Sequence, residues 1–314
     1  MRTSKINSII TALAVSAMSV MVNTQAQAIS LTGLTEDNTL VFFDSDSPSS
    51  TSSVKVTGAD LTGTLIGIDY RSADSQLYGV ANDNNIFTIN PGTGAATRVS
   101  TLSTPFNAGG FSGVDFNPAA DLLRVVGTND QNFRINVNTG LVNVDGTLAY
   151  AAGDANAGVS PTITSSAYTN SFPGPPASVT PRTTQLFNID SNLDVLTLQN
   201  PPNNGTLSTI GSLGVDFGPV GGFDISSPSS GVNTAFAAFG SSSNNTLAAY
   251  LYSVDLNTGA ATSLGQIGSG AGSNLIGLSA TPVPEPSAVL GTLALGALGA
   301  CSLLKRKQKK NFTA

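Results

Sequence analysis

The chain has 314 residues and a formal charge of −6, with 33 glycines, 16 prolines, one cysteine, no tryptophan and no histidine. The lack of histidine removes the commonest general base and metal ligand, so Ser-His-Asp and Cys-His catalysis are excluded. A single cysteine excludes an intramolecular disulfide, a thiolate zinc site and a Cys-x-x-Cys redox pair.

Residues 1–28 read as a secretory signal peptide: Arg2 and Lys5 give a positive start, Ile9 to Val22 an apolar core of 14 residues, and Ala26-Gln27-Ala28 an A-x-A cleavage site. The mature domain then covers 29–280. With Arg2, Lys5 and the five cations after residue 304 set aside, six Lys and Arg remain against eighteen acids, a charge of about −12. Such a surface excludes nucleic acid as a partner. A domain of about 250 residues buries roughly three quarters of its unfolded surface and needs no covalent staple.

Within the domain, residues 65–102 and 111–148 align without gaps at an offset of 46. Gly67-Ile68-Asp69 falls on Gly113-Val114-Asp115, and Asn90-Pro91-Gly92-Thr93-Gly94 on Asn136-Val137-Asn138-Thr139-Gly140. Degenerate copies follow. Gly222-Phe223-Asp224 opens one that ends in Leu251–Gly259, and Gln185–Asp190 repeats the third run after a Pro-rich insertion around Phe172 to Arg182. Upstream, Thr39–Asp44 matches it again, so Asp44, Asn90, Asn136, Asp190 and Asp255 form one column. Each unit holds four short runs of period two separated by Asn/Asp/Gly turns, which predicts antiparallel strands. Four-stranded units at a spacing of 40–50 residues are propeller blades. A β-sandwich has no reason to repeat at this spacing, and a solenoid repeats in shorter coils. The expectation is an all-β, five-bladed β-propeller: 29–58 with 274–280, then 65–102, 111–148, 163–213 and 220–268. The C-terminal strand, 274–280, completes blade one and removes two exposed edges.

Three groups of residues are candidates for a site. Asp69, Asp115 and Asp224 end the first runs, where they either cap the following turn or form a carboxylate ring suited to Ca²⁺. The turns Glu36–Asn38, Asn82–Asn85 and Asn129–Asn132 are either ordinary hairpins or a loop face for sugar hydroxyls or Ca²⁺. In blade three, Arg124 and Arg134 fall on adjacent strands among apolar neighbours, and buried arginine needs acceptors. Asp115, Asp145 and Asp154 are the expected partners, with Asn132 beside them and Tyr150 and Tyr168 as hydroxyl donors. That set is either a structural network between blades or an anion or carbohydrate pocket. No catalytic set and no firm cofactor emerge; calcium is the one ion these residues suit. A carboxylate pair for glycoside hydrolysis is allowed by composition, but no pair stands out.

At the C-terminus, 281–287 is a proline-rich extended segment, 288–304 an uncharged stretch of 17 residues at the short limit for a membrane span, and 305–314 a basic end expected in the cytoplasm. With Pro284-Glu285-Pro286 at its head, this tail resembles the PEP-CTERM sorting signal of exopolysaccharide-producing Gram-negative bacteria. The resemblance implies recognition by an exosortase, transient membrane anchoring and cleavage near the motif. The segment Gly113–Phe217 resembles an uncharacterised propeller-like domain family of exported bacterial proteins. It does so through Gly113–Pro118, Leu123–Val126, Gln131–Arg134, Asp145-Gly146, Tyr150, Ala167–Asn170 and Pro201–Leu207. The expected role is binding or organising extracellular polysaccharide at the cell surface or in the biofilm matrix, without catalysis. The alternative is a calcium-dependent hydrolase or lactonase using loop carboxylates.

Overall fold

The computed structural model describes residues 28–107, 110–240, 249–268 and 274–283. Ala26, Pro284-Glu285-Pro286, the 288–304 stretch and the basic end lie outside them. The expected five-bladed β-propeller is what the chain forms. Blade one joins β1 (Ser30–Thr35), β2 (Thr39–Asp44) and β3 (Ser47–Lys55) to the last strand, β21 (Leu275–Ala280). Blade two is β4 (Leu65–Tyr70), β5 (Leu77–Ala81), β6 (Asn85–Ile89) and β7 (Ala96–Thr101). Blade three is β8 (Ser112–Asn117), β9 (Leu122–Gly127), β10 (Asn132–Asn136) and β11 (Leu141–Val144). Blade four contains β12 (Ala149–Tyr150), β13 (Ile163–Tyr168), β14 (Leu186–Asp190), β15 (Val195–Gln199) and β16 (Thr206–Ser212). Blade five is β17 (Gly221–Ser229), β18 (Val232–Gly240), β19 (Ala249–Val254) and β20 (Ala261–Gln266).

Burial falls from axis to rim. The inner strands β8, β13 and β21 are buried along nearly their whole length, while β3, β7, β11 and β20 are largely exposed. Each pair of blades encloses its own apolar cluster. Tyr78, Val80 and Ile86 meet Val114, Phe116 and Phe133 between blades two and three. Phe187 and Leu196 meet Phe223, Ala237 and Phe239 between blades four and five. A fully buried side chain of this kind contributes about 1.5–3 kcal/mol. The cluster between blades three and four is the smallest, with Val126, Leu148, Tyr150, Ile163 and Leu207. That gap in apolar packing is where Arg124 sits.

Blade four differs from a four-stranded unit. β12 adds to it in parallel with β16, pairing Ala149 with Thr206 and Tyr150 with Leu207. The chain leaving blade three covers the outer edge of blade four, and its amides pair where they would otherwise be exposed.

Two kinds of turn explain the repeat. In the Asn-x-x-Thr-Gly turns, Gly94 (φ 72°) and Gly140 (φ 74°) are left-handed. A β-carbon on Gly140 would lie 1.9 Å from the Thr101 carbonyl oxygen of the preceding blade. The same turns accept the preceding blade's amides, Thr57 N–H on Gly94 O (2.9 Å) and Ser103 N–H on Gly140 O (2.8 Å). In the turns between second and third strands, Asn38, Asn84, Asp130 and Asp194 take positive φ, which short Asn and Asp side chains tolerate. The side chains of Asn38, Asn84 and Asp194 then hold the connection to the next blade: Leu65 N–H on Asn38 Oδ1, Phe106 N–H on Asn84 Oδ1 and Phe217 N–H on Asp194 Oδ1, each 2.7 Å. These turns are structural latches.

Candidate functional site

β9 alternates, so Leu123 and Val125 face blade two while Arg124 faces blade four, in register with Asp115 on one side and Arg134 on the other. Arg124 is 1% exposed, and each of its three guanidinium nitrogens has a partner. Nε donates to the Tyr168 hydroxyl (3.1 Å), Nη1 to Asn132 Oδ1 and Asp145 Oδ2 (both 2.6 Å), and Nη2 to Asn203 Oδ1 (2.9 Å). Arg134 grips the same carboxylate with two bonds, Nε to Oδ2 at 2.6 Å and Nη2 to Oδ1 at 2.8 Å. Asn132 donates in turn to the carbonyls of Gly146 and Pro202 (both 3.0 Å). Five of the expected residues thus meet: Arg124, Asn132, Arg134, Asp145 and Tyr168. The donors of Arg124 are spent on protein acceptors from blades three and four, which is how a structural network between blades is built. Arg134 reaches solvent, with 27% of its side chain exposed, and so does Asn203.

Three expected partners are elsewhere. Asp154 accepts Thr209 N–H (2.6 Å), the Thr209 hydroxyl (2.7 Å) and Asn156 N–H (2.9 Å), tying its loop to β16. Tyr150 donates to Asp190 Oδ2 (2.7 Å). Asp115 turns to the central channel.

There it meets Asp69 and Asp224. The inner strands are sheet edges, so their channel-side amides lack ladder partners and need acceptors. Three carboxylates serve all five blades. Asp69 accepts Tyr70 N–H and Phe116 N–H (both 2.7 Å), and Asp115 accepts Tyr168 N–H (3.1 Å). Asp224 accepts Ile225 N–H (2.6 Å) and Ala280 N–H (2.5 Å). The Ser279 hydroxyl donates to Asp69 at 2.7 Å. The expected cap on the following turn is therefore corrected: each carboxylate reaches sideways to the neighbouring blade, and those of Asp69 and Asp224 also accept an amide of their own strand. Burial raises the pKa of all three, and the charges of Asp69 and Asp224 push Asp115 further in the same direction. Each offers one oxygen within 4.8 Å of the others, an all-oxygen set of the kind calcium or magnesium favours. The recess beside Asp69 and Asp224 is lined by Ser171, Pro282 and Val283.

Sequence reasoning missed Arg71, which holds Asp121 of blade three through Nε (2.7 Å) and Nη2 (2.5 Å) and also meets Asp74 and the Tyr78 hydroxyl. Its only signal was its scarcity, one of six cations in the domain.

Residues 39–279 match a family described as a domain of unknown function (DUF4394), and residues 282–307 match the PEP-CTERM protein-sorting motif. No curated protein matches the sequence. Among solved structures, the chain is similar to a protein of unknown function from Bacteroides thetaiotaomicron, at 15% identity and a TM-score of 0.44, covering 83% of this chain and 64% of that one. It is also similar to the Dos1 propeller (12%, TM-score 0.38, 74% and 56% covered). A third likeness is an auxiliary nutrient binding protein from Bacteroides ovatus (12%, TM-score 0.36, 60% and 48% covered). The chain thus spans between about half and two thirds of the length of these structures.

Proposed function

Because the chain belongs to the DUF4394 family and ends in a PEP-CTERM motif, which marks an exported protein recognised by an exosortase, we propose that it is a non-enzymatic propeller that binds or organises extracellular polysaccharide. The observation that carries this reading is the sorting motif, which begins two residues after the strand that closes the ring. In this reading 288–304 anchors the protein transiently, and processing releases it to the cell surface or matrix. The Arg124 and Asp115 groups are buried and bonded to protein atoms, which fits a structural role for them better than a catalytic one.

The test is fractionation of the native host. Mature protein should co-purify with the exopolysaccharide, begin near residue 29 and lack the residues after Pro286. Full-length protein confined to the inner membrane, in cells with and without the exosortase, would overturn the reading.

The calcium-dependent hydrolase or lactonase draws on the carboxylate trio alone. Its oxygens are already turned to five backbone amides, so we expect the melting temperature of the full chain to be the same in millimolar calcium and in EDTA. A folded-state ligand at a hundred times its dissociation constant contributes about 2.7 kcal/mol. A rise of several degrees with calcium would therefore restore the hydrolase.

A further inference from the structure

Blades four and five diverge at the end where their inner strands finish, leaving a groove of about 790 Å³. Small-molecule sites occupy roughly 300–1,000 Å³, so the volume suits a short oligosaccharide segment. Its floor is apolar: Leu198 and Ile210 from blade four and Leu256 from blade five, all half-buried against the core of that interface. Its walls carry the Gln185 carboxamide and the Thr234, Ser253 and Thr262 hydroxyls, none of which makes a side-chain hydrogen bond among the described residues. At one end Asp255 is exposed, and the Asn257 N–H holds its pKa down, so it stays ionised. Among the described residues, no Lys or Arg lines the groove.

We infer that this groove is a binding site for a neutral polysaccharide chain. A sugar ring presents C–H faces, which suit the leucine and isoleucine floor, and rim hydroxyls, which pair with uncharged amides and hydroxyls. A uronic acid, sulfate or phosphate group would meet Asp255 and no compensating cation, so anionic polymers are selected against. This deepens the polysaccharide reading above and rests on it. The groove is separate from the Arg124 network, which lies between blades three and four.

The test is calorimetric titration of the full chain with cello-, malto- and laminaritetraose, with tetramannuronate as the acidic counterpart and the host's own exopolysaccharide alongside. Thr234 is exposed on β18 and Gln185 precedes β14, so Thr234→Trp fills the groove and Gln185→Ala removes a wall donor without touching the core. The wild type should bind a neutral tetrasaccharide and not the acidic one. Thr234→Trp should weaken binding about tenfold or more, Gln185→Ala should weaken it severalfold, and Arg98→Gln, on the outer strand of blade two, should leave it unchanged. Equal binding by the wild type, Thr234→Trp and Gln185→Ala would overturn the groove and leave the polysaccharide reading standing. Preference for tetramannuronate would overturn the neutral class. Wild type that binds neither the tetrasaccharides nor the host polymer would overturn the polysaccharide reading and the groove with it.

Discussion

Asp115 and Asp145 are both buried aspartates, and replacing them should have opposite consequences. Asp115 accepts one backbone amide at 3.1 Å and is bonded to Asp224, and burial with neighbouring negative charge raises its pKa. An acid held protonated by the fold costs nothing below the unfolded value of about 3.8. As pH rises through that value, the unfolded chain ionises first, so the native state loses stability until its own pKa is passed. Asp115→Asn keeps an acceptor for Tyr168 and gains a donor for Asp224. It should melt higher than the wild type at neutral pH, with the advantage shrinking towards pH 4. A lower melting temperature at neutral pH would mean that the trio's charge is compensated. Asp145 is the reverse case, because among the described residues it is the sole carboxylate on the buried Arg124 guanidinium. Asp145→Ala leaves that charge unpaired and should cost about 3–5 kcal/mol in a urea titration. Of these two sites, the arginine network was readable in the sequence, since Arg124 and Arg134 stood out among six cations in apolar strands. The trio was visible as one Gly-x-Asp position in three blades, with a carboxylate ring as one of its two readings. Its convergence depends on ring closure, which brings residues 155 positions apart (Asp69 and Asp224) together.

At the scale of the strand and turn, the repeat was legible because its turns carry backbone demands that few residues meet. Gly140 joins a left-handed φ to a preceding-blade carbonyl that leaves no room for a β-carbon. Gly231 has a similar φ (79°), with nothing within 4 Å of an added β-carbon. Gly231→Ala should therefore cost only the conformational term, about 1–2 kcal/mol. Gly140→Ala must also push blades two and three apart and should cost more than that in the same denaturation assay. Equal effects would mean that the turn is free to move off Thr101. β12 was not legible, since two residues outside the repeat leave no period to read. The groove between blades four and five was hidden for a related reason. Gln185, Thr234 and Thr262 sit on or beside strand ends, where polar residues are ordinary, and only the divergence of two sheets gives them a common space.

Across the whole molecule, closure depends on β21. It pairs with β1 from Leu31–Ala280 to Thr35–Leu275, and Ala280 N–H and the Ser279 hydroxyl reach the carboxylates of blades five and two. A chain ending at residue 268 leaves β1 an open edge, strips the apolar contacts of Leu275 and Leu278, and removes both carboxylate contacts. It should lose the cooperative thermal transition of the full chain. A sharp transition retained at the same temperature would show that four blades and an incomplete first suffice. The insertion after β13 crosses the same end of the ring, with Gly174 N–H on Ser72 O and Ala177 N–H on Ala119 O (both 2.9 Å), so one face is covered at its centre.

β21 ends at Ala280, and described chain continues to Val283 beside the channel mouth. Four residues, 284–287, separate that point from the uncharged stretch, and fully extended they reach about 14 Å. In the proposed anchored state, so short a tether would restrict the propeller's orientation. The face with the covered channel would then turn to the lipid, and the face with the Asn38, Asn84 and Asp194 turns would turn outward. The groove between blades four and five opens at the lower end, so severing the tail would do more than free the protein: it would uncover the side on which a glycan could approach.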